Sequence, residues 1–155
     1  MVVVVALAQF AIGVACAATL TRTSAFEYDT ATGLLTKEII EPDNSSLCLV
    51  TAYSYDAYGN KSGATTRNCN SSGSEAAAPS GDPVIASRTS NSTFAAGTNS
   101  SGGAWSAGRF ATTGTNALSQ SETREFDARF GTVAKLTGPN GLVTQWTYDV
   151  HIVQR

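Results

Sequence analysis

An aromatic residue followed directly by aspartate recurs along this chain and limits the structures that it can form. The pairs are Tyr28-Asp29, Tyr55-Asp56, Phe126-Asp127 and Tyr148-Asp149. In the first three, a glycine follows three or four residues after the aspartate, at Gly33, Gly59 and Gly131. A carboxylate at such a position accepts hydrogen bonds from nearby backbone N–H groups, and glycine adopts a positive φ readily. Each motif therefore predicts the corner of a β-hairpin, with the aromatic residue anchoring the strand end.

The residues around these corners alternate as half-buried strands do. Before Asp56, the side chains of Thr51, Tyr53 and Tyr55 fall on one face, and apolar runs resume after Gly33 and Gly131. The pattern shows no helical period between residues 24 and 148. We therefore predict an all-β fold, an antiparallel meander of β-hairpins.

A second kind of turn separates these hairpins. Asn140-Gly141 stands between two apolar alternations, which is one of the strongest local signals for a hairpin turn. In the strand predicted to follow, Leu142, Trp146 and Tyr148 share one face, so we expect Trp146 and Tyr148 to point into the core.

Composition changes along the chain predict five segments. These are an apolar start (1–23), hairpins (24–59), a Ser-, Gly- and Asn-rich part (60–106), further hairpins (107–149) and a short tail (150–155). The third segment has few large apolar residues, so we expect long loops or a degenerate repeat around Phe94, with short strands only near residues 84–89.

The apolar start admits two interpretations. Residues 1–17 end in Ala-Cys-Ala, as a secretory signal does, but no Lys or Arg precedes Arg22. The alternative is a start inside a longer coding region. The run is shorter than the ~20 residues that cross a bilayer, so we expect no membrane span.

Three cysteines, Cys16, Cys48 and Cys69, have no spacing typical of a zinc or redox site. The favoured interpretation is isolated thiols. A disulfide between Cys48 and Cys69 is the alternative if the chain is exported.

Three stretches, residues 28–43, 53–60 and 115–149, resemble the YD repeats of RHS-repeat proteins. They read "YDTATGLLTKEIIEPD", "YSYDAYGN" and "TNALSQSETREFDARFGTVAKLTGPNGLVTQWTYD". The resemblance implies a segment of a larger β-sheet that spirals into a hollow shell, which in bacteria encloses a C-terminal toxin. It implies neighbouring YD repeats as partners and a secreted or cell-envelope location. No glycine turn follows Asp149 before the chain ends in "VHIVQR", so we expect a truncated fragment.

Little in the chain points to catalysis or to nucleic acid. His151 is the only histidine, no Gly-x-Ser-x-Gly elbow occurs, and the aspartates have no recurring second carboxylate that would complete a calcium loop. A net charge of -2 offers no basic surface for phosphate backbones. We expect a non-enzymatic protein without metal or cofactor. A secreted module that binds cell-surface glycans through aromatic side chains such as Trp105 is the alternative.

Overall fold

The computed structural model describes residues 2–6, 21–69 and 87–149. Cys16, His151 and the whole of segment 150–155 lie outside these residues, as does most of the signal-like run. The described residues form twelve strands and no helix: β1 Val2–Ala6, β2 Thr23–Tyr28, β3 Leu35–Ile40, β4 Leu49–Tyr55, β5 Lys61–Asn68, β6 Arg88–Thr93, β7 Gly97–Asn99, β8 Gly103–Trp105, β9 Thr113–Thr115, β10 Ser121–Asp127, β11 Thr132–Thr137 and β12 Val143–Gln145. Neighbouring strands pair antiparallel from β1 to β4 and from β9 to β12, so the predicted all-β meander is confirmed.

The chain divides into two compact units. Of the described residues, the first unit contains 2–6, 21–54, 64–69 and 87–88, and the second contains 55–63 and 89–149. The tip of the β4–β5 hairpin therefore belongs to the second unit.

The first unit is a meander in the order β1, β2, β3, β4, β5. Val2–Ala6 pairs with β2, so this part of the apolar start belongs to the sheet. A run of valines favours a strand, because β-branched residues have a high β-propensity. Among the residues that the structure describes in this unit, the buried cluster is small and consists of Ala25, Ile39, Cys48, Val50 and Cys69.

The prediction of isolated thiols is wrong for two of the cysteines. Cys48 and Cys69 form a disulfide across 21 residues of sequence, with their Cα atoms 5.1 Å apart. The backbone N–H of Cys69 also donates to the carbonyl of Cys48. Both side chains are almost fully buried, so the bridge is part of the core.

The prediction of a loop immediately after residue 60 is also wrong, because Lys61–Asn68 is strand β5. This strand has few large apolar side chains, but it carries a threonine that pairs with the neighbouring strand. The hydroxyls of Thr51 and Thr66 lie 3.0 Å apart across β4 and β5. The disulfide fixes the far end of the same strand. Pairing and cross-linking thus offset the missing apolar burial.

The second unit carries the order β6, β9, β10, β11, β12. The short hairpin β7–β8 forms a separate two-stranded sheet between β6 and β9 in sequence. In segment 60–106, short strands are expected from the sequence only near residues 84–89. Strand β6 instead runs from residue 88 to residue 93, so it begins and ends further along the chain.

An aromatic cluster forms the core of the second unit. The rings of Phe110 and Phe126 are stacked with centroids 4.5 Å apart, and Trp105 contacts both of them edge-on. The indole N–H of Trp105 donates to the carbonyl of Ala95 at 3.0 Å. The indole ring of Trp105 lies against the backbone of Gly97. A Cβ atom at position 97 would come within 2.8 Å of Trp105 Cε2, so only glycine fits there without a shift.

The predicted core position of Trp146 is wrong, since its side chain is 42% exposed. Strand β12 ends at Gln145, so the alternation that would have turned Trp146 inward stops one residue before it. Leu142, assigned to the same inward face, is 71% exposed. Tyr148 is half-buried, and its hydroxyl donates to the carbonyl of Val133 at 2.8 Å.

None of the described residues belongs to a helix that is long and apolar enough to cross a membrane.

Candidate functional site

The first aromatic-Asp motif is a hairpin corner between β2 and β3. Oδ1 of Asp29 accepts hydrogen bonds from the backbone N–H groups of Ala31 and Thr32 and from the Thr32 hydroxyl. The N–H of Gly33, which has φ +72°, donates to the carbonyl of Asp29 at 2.9 Å. The carboxylate therefore closes the turn, and the glycine provides the left-handed conformation that reverses the chain.

The motif at Phe126-Asp127 repeats this arrangement between β10 and β11. Oδ1 of Asp127 accepts from the backbone N–H of Arg129, and Gly131 has φ +70° and donates its N–H to the Asp127 carbonyl. Arg129 also folds back, so that its Nε and Nη2 bind the two carboxylate oxygens at 3.0 and 2.6 Å. Unlike Asp29, Asp127 is buried, because the β7–β8 hairpin covers it through Gly102.

The two corners share features that the aromatic-Asp pattern does not include. A glutamate stands two residues before each aspartate and a lysine stands eight residues after it. The side chains of Glu27 and Lys37 pair across β2 and β3 at 2.9 Å, and those of Glu125 and Lys135 pair across β10 and β11 at 2.8 Å. The strand register shifts at the same place in both hairpins, directly after the glutamate.

These shared features define one structural unit that occurs twice, 98 residues apart, with the pattern Glu-aromatic-Asp-x-x-x-Gly-x-apolar-x-Lys. Sequence reasoning missed the glutamates and lysines because it compared only the aromatic-Asp-Gly positions. The expectation that the aspartates have no recurring second carboxylate is therefore wrong for Asp29 and Asp127, although each glutamate pairs with a lysine across its hairpin. An alignment of the two stretches on their aspartates would have found them.

The corner at Tyr55-Asp56 follows a shorter scheme, with its glycine three residues after the aspartate. Asp56 Oδ1 accepts from the backbone N–H groups of Tyr58 and Asn60, and Gly59 has φ +83°. Nδ2 of Asn60 donates both to Asp56 Oδ2 and to the carbonyl of Gly108. Asn60 thereby ties this corner to the segment after β8.

The hydrogen bonds lower the pKa of all three corner carboxyls below their usual range. For Asp29 the main cause is the Thr32 hydroxyl, and for Asp127 it is the Arg129 side chain. For Asp56, burial raises the pKa, but the side chain and backbone N–H of Asn60 together with other N–H groups more than offset this effect. The pKa of Arg129 is raised in turn by its bond to Asp127. All three aspartates are therefore held as carboxylates, which suits turn closure and not proton transfer near neutral pH.

Asparagine closes four further turns in the same way. The side-chain Oδ1 accepts a backbone N–H two residues later at each of four positions: Asn44, Asn99, Asn116 and Asn140. At the predicted Asn140-Gly141 turn, Gly141 has φ +77° and the N–H of Gly138 donates to the carbonyl of Leu142. Sequence reasoning identified Asn140 and missed the rest, although Asn in Ser-rich turns is the signal that marks them.

The aspartate and asparagine corners alternate along the meander. In the first unit, Asp29 lies in the turn after β2 and Asn44 lies in the turn after β3. In the second unit, Asn116, Asp127 and Asn140 occupy the turns after β9, β10 and β11. Successive turns of a meander lie at opposite rims of its sheet, so within each unit carboxylates mark one rim and amides mark the other.

The remaining predicted residues differ in how far their side chains are buried. Of the aromatic anchors, Phe126 is buried, Tyr55 is half-buried and Tyr28 is 42% exposed at the end of β2. Asp149 is exposed and lies beyond β12.

One open cleft of about 280 Å³ in the second unit combines polar and aromatic side chains. Its lining includes Glu125, Lys135, Asn99 and Trp146. Nζ of Lys135 donates to Glu125 Oε1 at 2.8 Å, and Nδ2 of Asn99 donates to Glu125 Oε2 at 3.4 Å. The second repeat of the glutamate-lysine pair thus faces a cavity with an exposed indole.

No protein-family model and no curated protein matches this chain. What the chain can do must therefore be argued from its own residues. Within residues 21–69 and 87–149, no group of three or more His, Cys, Asp or Glu side chains is arranged to hold a metal ion.

Proposed function

We propose that the chain is a non-enzymatic structural segment of a larger YD-repeat protein, of the RHS type, in which stacked hairpins build a shell around a C-terminal toxin or effector domain. The observation that carries this proposal is the repeated corner. Two hairpins 98 residues apart share the same turn-closing carboxylate, left-handed glycine, register shift and cross-strand ion pair. A unit repeated in such detail suits a sheet that grows by addition of equivalent hairpins.

Burial in the chain supports the same proposal. Among the described residues of the first unit, the buried cluster has five members, and two of them are the disulfide cysteines. In the second unit, Val143 of the last described strand, β12, is 52% exposed, and Leu142 directly before this strand is 71% exposed. Repeat proteins bury such surfaces against the neighbouring repeat, because one unit cannot cover its own apolar face. Neighbouring YD repeats of the parent protein are therefore the expected partners.

The disulfide supports a secreted or cell-envelope location. Disulfides persist in oxidising compartments and are rare in the reducing cytosol. Cys48 and Cys69 are 4% and 1% exposed, so their bridge is structural and not a surface redox switch.

The first test is the coding sequence on either side of the gene segment. Further units with the Glu-aromatic-Asp-x-x-x-Gly-x-apolar-x-Lys pattern in the same reading frame would support the proposal. Flanking sequence without any such unit would contradict it.

The second test is the stability of the chain alone and with neighbouring repeats attached. We expect the isolated chain to be poorly soluble or to melt broadly, and the extended chain to melt sharply at a higher temperature. A sharp two-state melt of the isolated monomer would show that the chain completes its own core and would refute the segment role.

The alternative function, a secreted module that binds glycans, cannot use Trp105 as expected from the sequence. Trp105 is 6% exposed, and its indole N–H is already bonded to Ala95. Any aromatic contact with a sugar must come from another ring.

A further inference from the structure

We propose that Asn140 is a site of spontaneous deamidation, in which the backbone of Gly141 displaces the side-chain amide, and that one of the two products unpairs strand β12. The modification needs water and no enzyme. It goes beyond the shell role and does not depend on it, because the turn and both of its strands belong to the second unit.

The reaction joins two neighbouring groups of the chain. The backbone nitrogen of Gly141 loses its proton to solvent and attacks Cγ of Asn140. A new N–Cγ bond forms, the Cγ–Nδ2 bond breaks, and Nδ2 leaves as ammonia by taking up a proton. Water then opens the resulting five-membered succinimide ring at one of its two carbonyls, which gives aspartate in one case and isoaspartate in the other.

The residue after the asparagine distinguishes position 140 from the other asparagine corners. Asn140 is followed by Gly141. A serine follows Asn44 and Asn99, and an alanine follows Asn116. A Cβ on the following residue crowds the attacking nitrogen and restricts the backbone angles that bring it to Cγ, and glycine has neither limit. The other three corners are therefore matched internal controls for the chemical step.

The turn that holds Asn140 is open to water. Asn140 and Gly141 are both exposed. A Cβ at position 141 would meet nothing within 4 Å, so none of the described segments packs over this glycine. Solvent can therefore take the proton from the attacking nitrogen and can also open the ring.

Two hydrogen bonds of the closed turn hold the reacting groups back. The N–H of Gly141 donates to the carbonyl of Gly138 at 2.9 Å, and Oδ1 of Asn140 accepts from the N–H of Leu142 at 3.2 Å. The attacking nitrogen must give up the first bond, and the side-chain amide must rotate out of the second. We therefore expect the reaction in molecules whose β11–β12 hairpin has opened locally.

Opening of this hairpin disturbs little else in the second unit. Strand β12 has three residues, all of them exposed, and it pairs with β11 at the end of the strand order. Among the described strands, β11 is thus its single partner. Short, exposed edge elements open at the smallest free-energy cost in a protein. Asn140 therefore combines a reactive neighbour with an accessible open state.

The two products differ in whether the turn can still close. In aspartate, a carboxylate oxygen takes the place of Oδ1. Asp29 shows this arrangement elsewhere in the chain, since its Oδ1 accepts the N–H of Ala31, two residues later, at 3.1 Å. In isoaspartate, the main chain runs through Cβ and Cγ of residue 140. The turn then gains one backbone atom, and the former Oδ1 becomes a main-chain carbonyl.

The added backbone atom acts on the pairing of β12. The N–H of Gly138 donates to the carbonyl of Leu142, and the N–H of Trp146 donates to the carbonyl of Ala134. Turn type and loop length fix the register of a hairpin. A longer turn therefore removes the first bond from register, and a strand of three residues has few other pairs to keep it in place. Isoaspartate at position 140 thus unpairs β12 and makes β11 the edge of the sheet.

The first experiment follows the chemistry at each asparagine. The full chain is incubated at neutral pH, folded and in urea, and its peptides are analysed by mass spectrometry with electron-transfer fragmentation, which distinguishes isoaspartate from aspartate. In urea, we expect Asn140 to react about tenfold or more faster than Asn44, Asn99 and Asn116, because only the following residue differs. In the folded chain, Asn140 should react about tenfold or more slowly than in urea, because the turn must open first, and should still be the fastest of the four.

Two variants separate the chemical step from the fold. Gly141→Ala should slow the reaction at Asn140 in urea by about tenfold or more through its added Cβ. Gly33→Ala makes the same change at a glycine of the first unit and should leave the rate at Asn140 unchanged.

The second experiment compares the two products. The isoaspartate form is purified from aged protein by chromatography, and Asn140→Asp supplies the aspartate form directly. We expect the backbone amide shifts of residues 143–146 to move to those of a free peptide in the isoaspartate form. In Asn140→Asp they should stay near those of the fresh protein. The amide of Arg124, which donates to Thr112 within the same unit, is the control and should not move in either form.

Three results would overturn the proposal. These are a rate at Asn140 in the folded chain that is no higher than at the other corner asparagines, an unchanged rate in urea for Gly141→Ala, and amide shifts of a paired β12 in the isoaspartate form. None of these results would bear on the shell role, which is tested by flanking sequence and melting behaviour.

Discussion

Replacing Cys48 and Cys69 together by alanine removes the cross-link between the start of β4 and the end of β5. The bridge closes a loop across 21 residues of sequence. For a loop of this length, the chain-entropy relation gives a loss of about 11 cal/mol/K in the entropy of the unfolded state. The bridge therefore raises the free energy of the unfolded state by about 3.3 kcal/mol at 25 °C. We therefore expect the double variant to lose about 3 kcal/mol of stability in the first unit.

Packing adds to this loss. Both cysteines belong to a buried cluster with Ala25, Ile39 and Val50, and Val50 is fully buried. Removal of two sulfur atoms leaves space in this small core, and partly filled cavities cost further stability. Reduction of the unsubstituted protein breaks the cross-link while keeping the sulfur atoms, so a comparison of the reduced protein with the double variant separates the two effects.

Amide hydrogen exchange measures this loss locally, without the need for a sharp global melt. The N–H of Cys69 donates to the carbonyl of Cys48, so its exchange reports on opening at the bridge. A loss of about 3.3 kcal/mol corresponds to a roughly 200-fold decrease in protection. The Cys16→Ala variant keeps the bridge and is the control. A decrease of less than about tenfold, or free thiols at Cys48 and Cys69 in the purified protein, would refute the reasoning.

Two further predictions concern the corners. Because the folded-state pKa values of Asp29, Asp56 and Asp127 lie below the ordinary 3.8, their contribution is complete above that pH and is lost as pH falls through the folded-state values. Thermal melts should show constant stability from pH 7 to about pH 5 and a loss below about pH 4 that the triple Asp→Asn variant largely lacks; an equal loss in both proteins would contradict this. Gly33→Ala should cost about 1 kcal/mol from its positive φ alone, since a Cβ there meets nothing within 4 Å. Gly102→Ala should cost clearly more by urea unfolding, because its Cβ would lie 2.5 Å from the Asp127 Cα; equal costs would contradict this assignment.

Hairpin corners could be predicted because their chemistry is local. A carboxylate, a short spacing and a glycine determine the turn, and all three can be read within six residues around Asp29, Asp56 or Asp127. The Asn140-Gly141 turn is local in the same sense. The all-β fold follows from these corners together with the alternation between them.

Burial could not be predicted equally well, because it depends on distant segments. Trp105 is enclosed by Gly97 and by two phenylalanines from elsewhere in the second unit, none of which its immediate neighbours in sequence reveal. Trp146 is exposed because pairing of β12 stops at Gln145, and strand ends are set by the partner strand as much as by the sequence of the strand itself. The disulfide joins two cysteines whose proximity comes from the β4–β5 hairpin.

The alternation of aspartate and asparagine corners also limits how such a sheet can change its length. Gain or loss of a single strand would move every later carboxylate to the rim occupied by amides, and each turn would then meet the wrong neighbours. Gain or loss of two strands, with one turn of each kind, leaves both rims as they were. The unit of duplication and deletion that preserves this architecture is therefore a pair of strands, which gives gene rearrangement and protein engineering a natural step size.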